Sequence, residues 1–268
     1  MDEQRINGDT AENLEMAIAV YQYALQVRTK EAFPNQWAMT QYNLGIAYRN
    51  RIKGNNAQNV ELALAAYQKA LEVYTKETFP TAWAATQYNL GIAYSNRIKG
   101  DKTENIEKAI AAFQNASEIY TRDAFPEEWA EIQYHIGKLR VQQGAWYDGL
   151  AYLERSLAIY RQTENLEARA DTIYQIARTH HLMSNPEKAR IHYRDALRIY
   201  QHLDNQAGIA ACKTGLGRLM ISIGFIDDAL KELNQARQIY DTINNKPRVD
   251  EIQEILQLVN KIGEKQLT

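Results

Sequence analysis

Residues 41–48 read Gln-Tyr-Asn-Leu-Gly-Ile-Ala-Tyr, and the same eight residues return unchanged at 87–94. A degraded copy, Gln-Tyr-His-Ile-Gly-Lys-Leu-Arg, occupies 133–140, so the step between copies is 46 residues. Beyond residue 140 the step shortens to 40 residues, which is the spacing of the Ile-Tyr pairs at 159–160, 199–200 and 239–240. A fixed period of this length indicates a repeat architecture in which each repeat is one supersecondary unit.

Each repeat is predicted to be a pair of helices. The second helix of a pair carries apolar residues at spacings of three and four, which place them on one helix face: Val60, Ala63, Leu64, Tyr67, Ala70, Leu71 and Tyr74. The first helix is predicted to begin at Pro34, Pro80 or Pro126, because proline is tolerated where the first-turn amide has no partner in the helix.

Helix ends are predicted from glycine and asparagine. Gly54 and Gly100 stand where the first helix is expected to stop, and Gly8 occupies the matching place near the start of the chain. The second helix is expected to be capped at its N-terminus by an asparagine that precedes the apolar stripe: Asn13, Asn59 or Asn105.

The pattern Leu44-Gly45-x-x-Tyr48, followed by Ala63, Tyr67 and Ala70, resembles the tetratricopeptide repeat (TPR), in which small residues let two helices cross closely. The 46- and 40-residue units are similar to the long tandem arrays of cyanobacterial and related bacterial proteins. The resemblance implies an all-α solenoid of helical hairpins wound as a right-handed superhelix, with about twelve helices. We expect 46-residue units over 1–125, starting in the middle of a repeat, 40-residue units over 126–243 and a capping helix over 244–268, all in one continuous solenoid.

Composition excludes several classes of protein. The 268 residues are 45% hydrophobic and 24% charged with a net charge of −2, which is typical of a globular chain. No strong positive charge is concentrated in either half, so a nucleic-acid partner is not expected. No apolar run reaches membrane-spanning length and no signal segment opens the chain. A single cysteine, Cys212, fits a reducing compartment, so a cytoplasmic location away from membranes is expected.

No catalytic pattern is found in the sequence. HExxH, Cys-x-x-Cys and a glycine-rich phosphate loop are missing, and the adjacent His180 and His181 point about 100° apart on a helix. Cys212 is interpreted as a small buried residue. We therefore expect no enzyme activity, no cofactor and no metal site.

Binding residues follow from the resemblance, because the first helix of each TPR unit lines the concave groove. Its outward positions give the candidates Tyr42, Asn43, Asn50, Tyr88, Asn89, Asn96, Tyr134, Lys138, Tyr174, Arg178 and Arg218. An amide such as that of Asn43 or Asn89 can hold the backbone of an extended peptide, although a bond to a neighbouring unit is equally open. Lys138, Arg178 and Arg218 suit an acidic segment, with solvated surface charge as the alternative.

These observations predict a non-catalytic interaction module that binds a peptide or a helix, as the sensor or scaffold part of a bacterial regulatory protein. Two alternatives stay open. The first is a receptor for a small peptide signal. The second is a structural protein that self-assembles into a homo-oligomer through an uncovered N-terminal helix, whose apolar stripe consists of Leu14, Ala17, Ile18, Tyr21, Ala24 and Leu25.

Overall fold

The computed structural model describes residues 2–266, with side chains described from 10 to 259. Within the described residues there are twelve α-helices and no β-strand, which confirms the predicted all-α fold class. The helices are α1 Asp2–Val27, α2 Pro34–Arg49, α3 Asn56–Ala70, α4 Pro80–Ser95, α5 Lys102–Ser117, α6 Pro126–Gln142, α7 Trp146–Tyr160, α8 Leu166–Leu182, α9 Pro186–His202, α10 Gln206–Ser222, α11 Ile226–Thr242 and α12 Lys246–Gln266.

The chain forms two compact units. Unit 1 extends to Leu139 and unit 2 begins at Arg140, so the division falls inside α6. The three prolines predicted to open first helices do so, at the starts of α2, α4 and α6. None of the helices in the described part of the chain is long and apolar enough to cross a membrane.

Glycine on a first helix lets a large ring from the second helix pack against its backbone. A Cβ atom added to Gly45 would lie 2.5 Å from the Tyr67 ring, and one added to Gly91 would lie 2.8 Å from Phe113. Both rings are completely buried. The small residues of the repeat are therefore needed for the close approach of the paired helices, as the TPR resemblance implies.

Gly45 and Ala63 of an early repeat are 18 residues apart, whereas the matching Gly137 and Gly149 are 12 apart, so the early repeats carry a six-residue extension between their paired helices. In the structure this extension is a short loop. Gly54 and Gly100 have φ values of 84° and 81° and precede the second helix, so they end the loop and not the first helix as predicted. A left-handed backbone of this kind favours glycine because it has no Cβ.

The predicted asparagine N-caps were also wrong. The caps are Asn55 and Asp101, whose side chains accept the backbone N–H of Gln58 and Glu104. Asn59 and Asn105 lie one turn inside their helices and are buried. The Asn59 amide donates to the carbonyl of Lys53 at 3.0 Å, so it anchors the loop that the extension adds.

Arginines of the extension loops join consecutive repeats of unit 1. Arg51 donates through Nε and Nη2 to the two carboxylate oxygens of Glu15, each at 2.7 Å. One repeat later Arg97 forms the same bidentate pair with Glu61, at 2.8 and 2.9 Å. The hydrogen bonds from the arginines hold the pKa values of both glutamates below their usual range.

The beginning of α1 differs from the sequence expectation. The helix continues through Gly8, where an end was predicted, and Asn13 is exposed on it. The loops at Gly54 and Gly100 are held by buried asparagine amides, and an exposed Asn13 provides no such anchor. The stripe predicted to be uncovered packs in the core beside α2, with Ile18 buried and Tyr21 and Leu25 partly buried.

Candidate functional site

The eleven predicted binding residues fall into two groups, and each group lies in one unit. Unit 1 carries those of α2, α4 and α6, together with the exposed helix-capping residues Asn50 and Asn96. Unit 2 carries Tyr174 and Arg178 on α8 and Arg218 on α10. No position outside the first helix of a repeat was predicted, apart from those capping residues.

In unit 1 the predicted amide and tyrosine positions bond to each other. The Asn89 amide donates to the Tyr42 hydroxyl at 3.1 Å and to the Ala85 carbonyl at 2.9 Å. Its oxygen accepts from Arg49 Nη1 at 2.6 Å. Asn89 is buried, so its donors and acceptor already serve contacts inside unit 1. This matches the alternative reading of a bond to a neighbouring repeat. Asn43, at the same position one repeat earlier, is half-buried.

The third repeat places His135 where the first two have Asn43 and Asn89. Its ring stacks on Phe113 with centroids 5.1 Å apart, and its Nε2 lies 3.3 Å from the Tyr88 hydroxyl. Burial lowers its pKa to about 3, with further lowering from Lys138 and Arg49. Tyr134 makes an edge contact with the same ring, and the Lys138 ammonium lies 4.8 Å from the Tyr134 centroid. These predicted residues therefore surround a packed neutral histidine.

Unit 2 contains a cavity of about 280 Å³, which we call the arginine pocket. It brings together all three binding residues predicted for this unit with the tyrosines of the second helices and the start of α12. Its lining consists of Tyr174, Arg178, His181, Leu182, Tyr193, Ala211, Thr214, Gly215, Arg218, Tyr240, Arg248 and Glu251.

The charges of the arginine pocket converge from three helices. Glu251 accepts from Arg248 Nη1 at 2.6 Å through one carboxylate oxygen and from Arg218 through the other. Arg178 is exposed and donates to Gln175 at 3.2 Å. Burial, followed by the charge of Arg218, lowers the pKa of His181, so this imidazole is neutral at pH 7. Three guanidinium groups and one carboxylate leave the pocket with two excess positive charges.

Tyrosine rings form much of the remaining wall. Burial raises the pKa values of Tyr174, Tyr193 and Tyr240, so their hydroxyls stay protonated and can donate hydrogen bonds. The charges of Arg178, Arg248 and Arg218 all act on Tyr174 in the opposite direction. The pocket can therefore bind an anion with charged donors and place an apolar group against aromatic rings.

Nine of the twelve lining residues were not among the predicted binding residues, and four of these nine contribute tyrosine rings or charges to the wall. Tyr193 and Tyr240 belong to second helices, and Tyr240 was noted only as part of the Ile-Tyr repeat. Arg248 and Glu251 belong to α12, which was interpreted as a cap. The charged pair Arg248 and Glu251, one turn apart at the start of that helix, was the available signal.

No catalytic arrangement emerges in the part of the chain that the structure describes. Burial raises the pKa of Cys212 to about 12, so its thiol is protonated and a poor nucleophile. His180 stacks on His192 with centroids 5.5 Å apart, and no group of three or more metal-ligating side chains occurs among the described residues.

These features define a protein built from helical-hairpin repeats with a cationic pocket beside its first helices. Residues 130–202 match the model of the tetratricopeptide repeat family. No curated protein matches the chain.

Solved structures with the same fold cover most of the chain. The crystal structure of BtubC (BKLC) from P. vanneervenii superposes with a TM-score of 0.68 at 16% identity, covering 86% of this chain and 92% of that one. The kinesin light chain TPR-like repeats of Podosopora anserina give 0.61 at 16% identity, over 79% and 98%. A Rap protein complexed with Competence and Sporulation Factor gives 0.60 at 13% identity, over 97% and 74%. At these identities the similarity establishes the fold alone.

Proposed function

We propose that the chain is a non-catalytic protein-interaction module whose arginine pocket binds an acidic segment of a partner protein. The TPR fold supports a general protein-binding role. The observation that carries the acidic specificity is the convergence of Arg178, Arg218 and Arg248 on one cavity with a single carboxylate. Guanidinium groups bind carboxylates through paired, charge-assisted hydrogen bonds, which favours an acidic ligand.

The pocket is open enough for a partner to reach its charges. The side chains of Arg218 and Arg248 are 46% and 56% exposed, although both contact Glu251. An incoming carboxylate can therefore bond their remaining N–H groups without displacing the core. We further propose that the chain is the sensor or scaffold part of a bacterial signalling protein, with a receptor for a peptide signal as one such role. The similarity to a Rap protein complexed with Competence and Sporulation Factor supports this proposal.

Selection of random peptides displayed on phage tests the binding function. We expect peptides selected on the native chain to be enriched in Asp and Glu. A selected peptide should lose about tenfold or more in affinity when Arg218→Ala removes a charge-assisted donor. Arg198→Ala is the matched control, because Arg198 is an exposed arginine of α9 that pairs with Asp195 outside the pocket. Selected peptides without acidic residues, or an equal loss in the control, would contradict the proposal.

One observation favours self-assembly: α1 exposes an apolar stripe. This stripe lies on a different face of the helix from the stripe predicted. Met16, Val20, Tyr23 and Val27 are between 58% and 70% exposed. Their spacings of four, three and four residues are those of a coiled-coil seam. A second copy could pair along this stripe.

Sedimentation velocity at micromolar concentration tests this second candidate. A dimer should form, and Val20→Lys should convert it to a monomer because the charge would be buried in the seam. Gln201→Lys, on the exposed surface of α9, is the control and should leave the dimer intact. A native chain that sediments as a monomer would exclude self-assembly through α1.

A further inference from the structure

The arginine pocket has more positive charge than one carboxylate can neutralise. Its three guanidinium groups come from α8, α10 and α12, and Glu251 compensates only one of them. A second carboxylate from a partner would leave a further charge uncompensated. A phosphoryl group carries a charge of about −1.5 to −2 at pH 7 and would complete the balance alone.

The arrangement of the charges also favours one compact anion over several separated ones. Arg218 and Arg248 reach the two oxygens of the same Glu251 carboxylate, so their head groups lie on either side of one point. Arg178 lines the same cavity from α8. A phosphoryl group has three oxygens on one atom, each able to accept from a different donor, whereas two carboxylates must occupy separate positions.

The walls suit a phosphorylated side chain in size and polarity. The cavity of about 280 Å³ is large enough for a side chain with a phosphoryl group, and the protonated side chains of Tyr174 and Tyr240 line it together with the arginines. His181 is neutral at pH 7 and can donate or accept one hydrogen bond. The ligand's charge is therefore met by the arginines, with neutral groups around them.

We propose that the arginine pocket is a subsite for a phosphoryl group carried on a side chain of the partner protein. This inference rests on the proposed function and specifies its ligand. Glu251 lies where it competes for Arg218 and Arg248, so it sets the affinity by holding two of the donors that the phosphoryl group uses.

Titration of the full chain with blocked pentapeptides tests the subsite. The peptides have the form acetyl-Gly-Gly-Xaa-Gly-Gly-amide, where Xaa is phosphoserine, glutamate or serine, and the arginine Nε–Hε signals are followed by NMR. We expect the phosphoserine peptide to bind at least tenfold more tightly than the glutamate peptide, and the serine peptide to cause no shift. Arg218→Ala should weaken the phosphoserine peptide about tenfold or more, and Arg198→Ala should leave it unchanged.

Glu251→Gln is expected to raise the affinity for the phosphoserine peptide, an effect that a loss of folding would not produce. Removing the competing carboxylate frees two arginines, so the phosphoserine peptide should bind several-fold more tightly, while far-ultraviolet circular dichroism confirms that the helices persist. Equal affinity for phosphoserine and glutamate, both dependent on Arg218, would overturn the subsite and leave the acidic-segment function standing. The subsite would also be overturned if Arg218→Ala left the affinity for the phosphoserine peptide unchanged, or if no peptide bound. The phage selection would then test the proposed function separately.

Discussion

Tyr67→Ala is expected to lower the free energy of unfolding by about 3–5 kcal/mol, the range found for deleting a large buried ring. The Tyr67 side chain is completely buried against the backbone of Gly45, which has no Cβ to fill the space left behind. The chain cannot close this gap without moving α2 against α3, so a cavity remains. Urea unfolding followed by circular dichroism measures the change.

Tyr67→Phe is the matched control and should raise the free energy of unfolding instead of lowering it. The Tyr67 hydroxyl is buried and has no hydrogen-bond partner in the structure, so it is desolvated without compensation. Removing it should stabilise the protein by about 1 kcal/mol. The same position one repeat later is Phe113, which shows that the fold accommodates a phenyl ring there. A loss of stability in Tyr67→Phe would mean that the hydroxyl is bonded after all.

Acidification should destabilise the native chain through His135. Its pKa is about 3 in the folded state because of burial, against an ordinary value near 6.5 for an unfolded chain. Between these values the unfolded state binds the proton and the folded state does not, so stability falls as the pH drops below about 6.5. Allowing for the partial exposure of the ring, we expect a loss of about 2 kcal/mol from this residue between pH 7.5 and pH 4.5.

His135→Asn isolates that contribution. Asparagine is the residue found at the matching position 89, where it bonds to the tyrosine of the preceding repeat, and it does not titrate. The carboxylates and the other histidines affect both proteins alike. The variant should therefore lose about 2 kcal/mol less than the native chain over the same pH interval in urea unfolding. Equal losses in the two proteins would show that His135 takes up its proton in the folded state as readily as in the unfolded state.

The fold was predictable because it depends on features that recur. The apolar stripes, the prolines at the starts of α2, α4 and α6 and the glycines that admit Tyr67 and Phe113 are local and periodic, and the structure has them where the sequence indicates. The caps were missed for a physical reason. Asn59 and Asn55 are both good capping residues, and only the path of the loop decides which amide is buried under it.

The candidate site was predictable only in part. Register alone predicted Tyr174, Arg178 and Arg218, which the structure places in the lining of one cavity. The contribution of Arg248 and Glu251 depends on how α12 packs beside α10 and α11, which no repeat position encodes. The hydrogen bonds of Asn89 with Tyr42 and Arg49 likewise depend on distances between repeats, which cannot be read from the sequence.

The paired arginines and glutamates of unit 1 bear on how such an array can lengthen. Arg51 and Arg97 each bond to a glutamate 36 residues earlier, so the 46-residue segment 51–96 contains the arginine that pairs with the repeat before it and the glutamate that pairs with the repeat after it. Duplicating residues 51–96 in tandem would leave every pair complete, with the copied arginine on Glu61 and Arg97 on the copied glutamate. Gene duplication could thus extend this part of the chain by whole repeats without any compensating substitution.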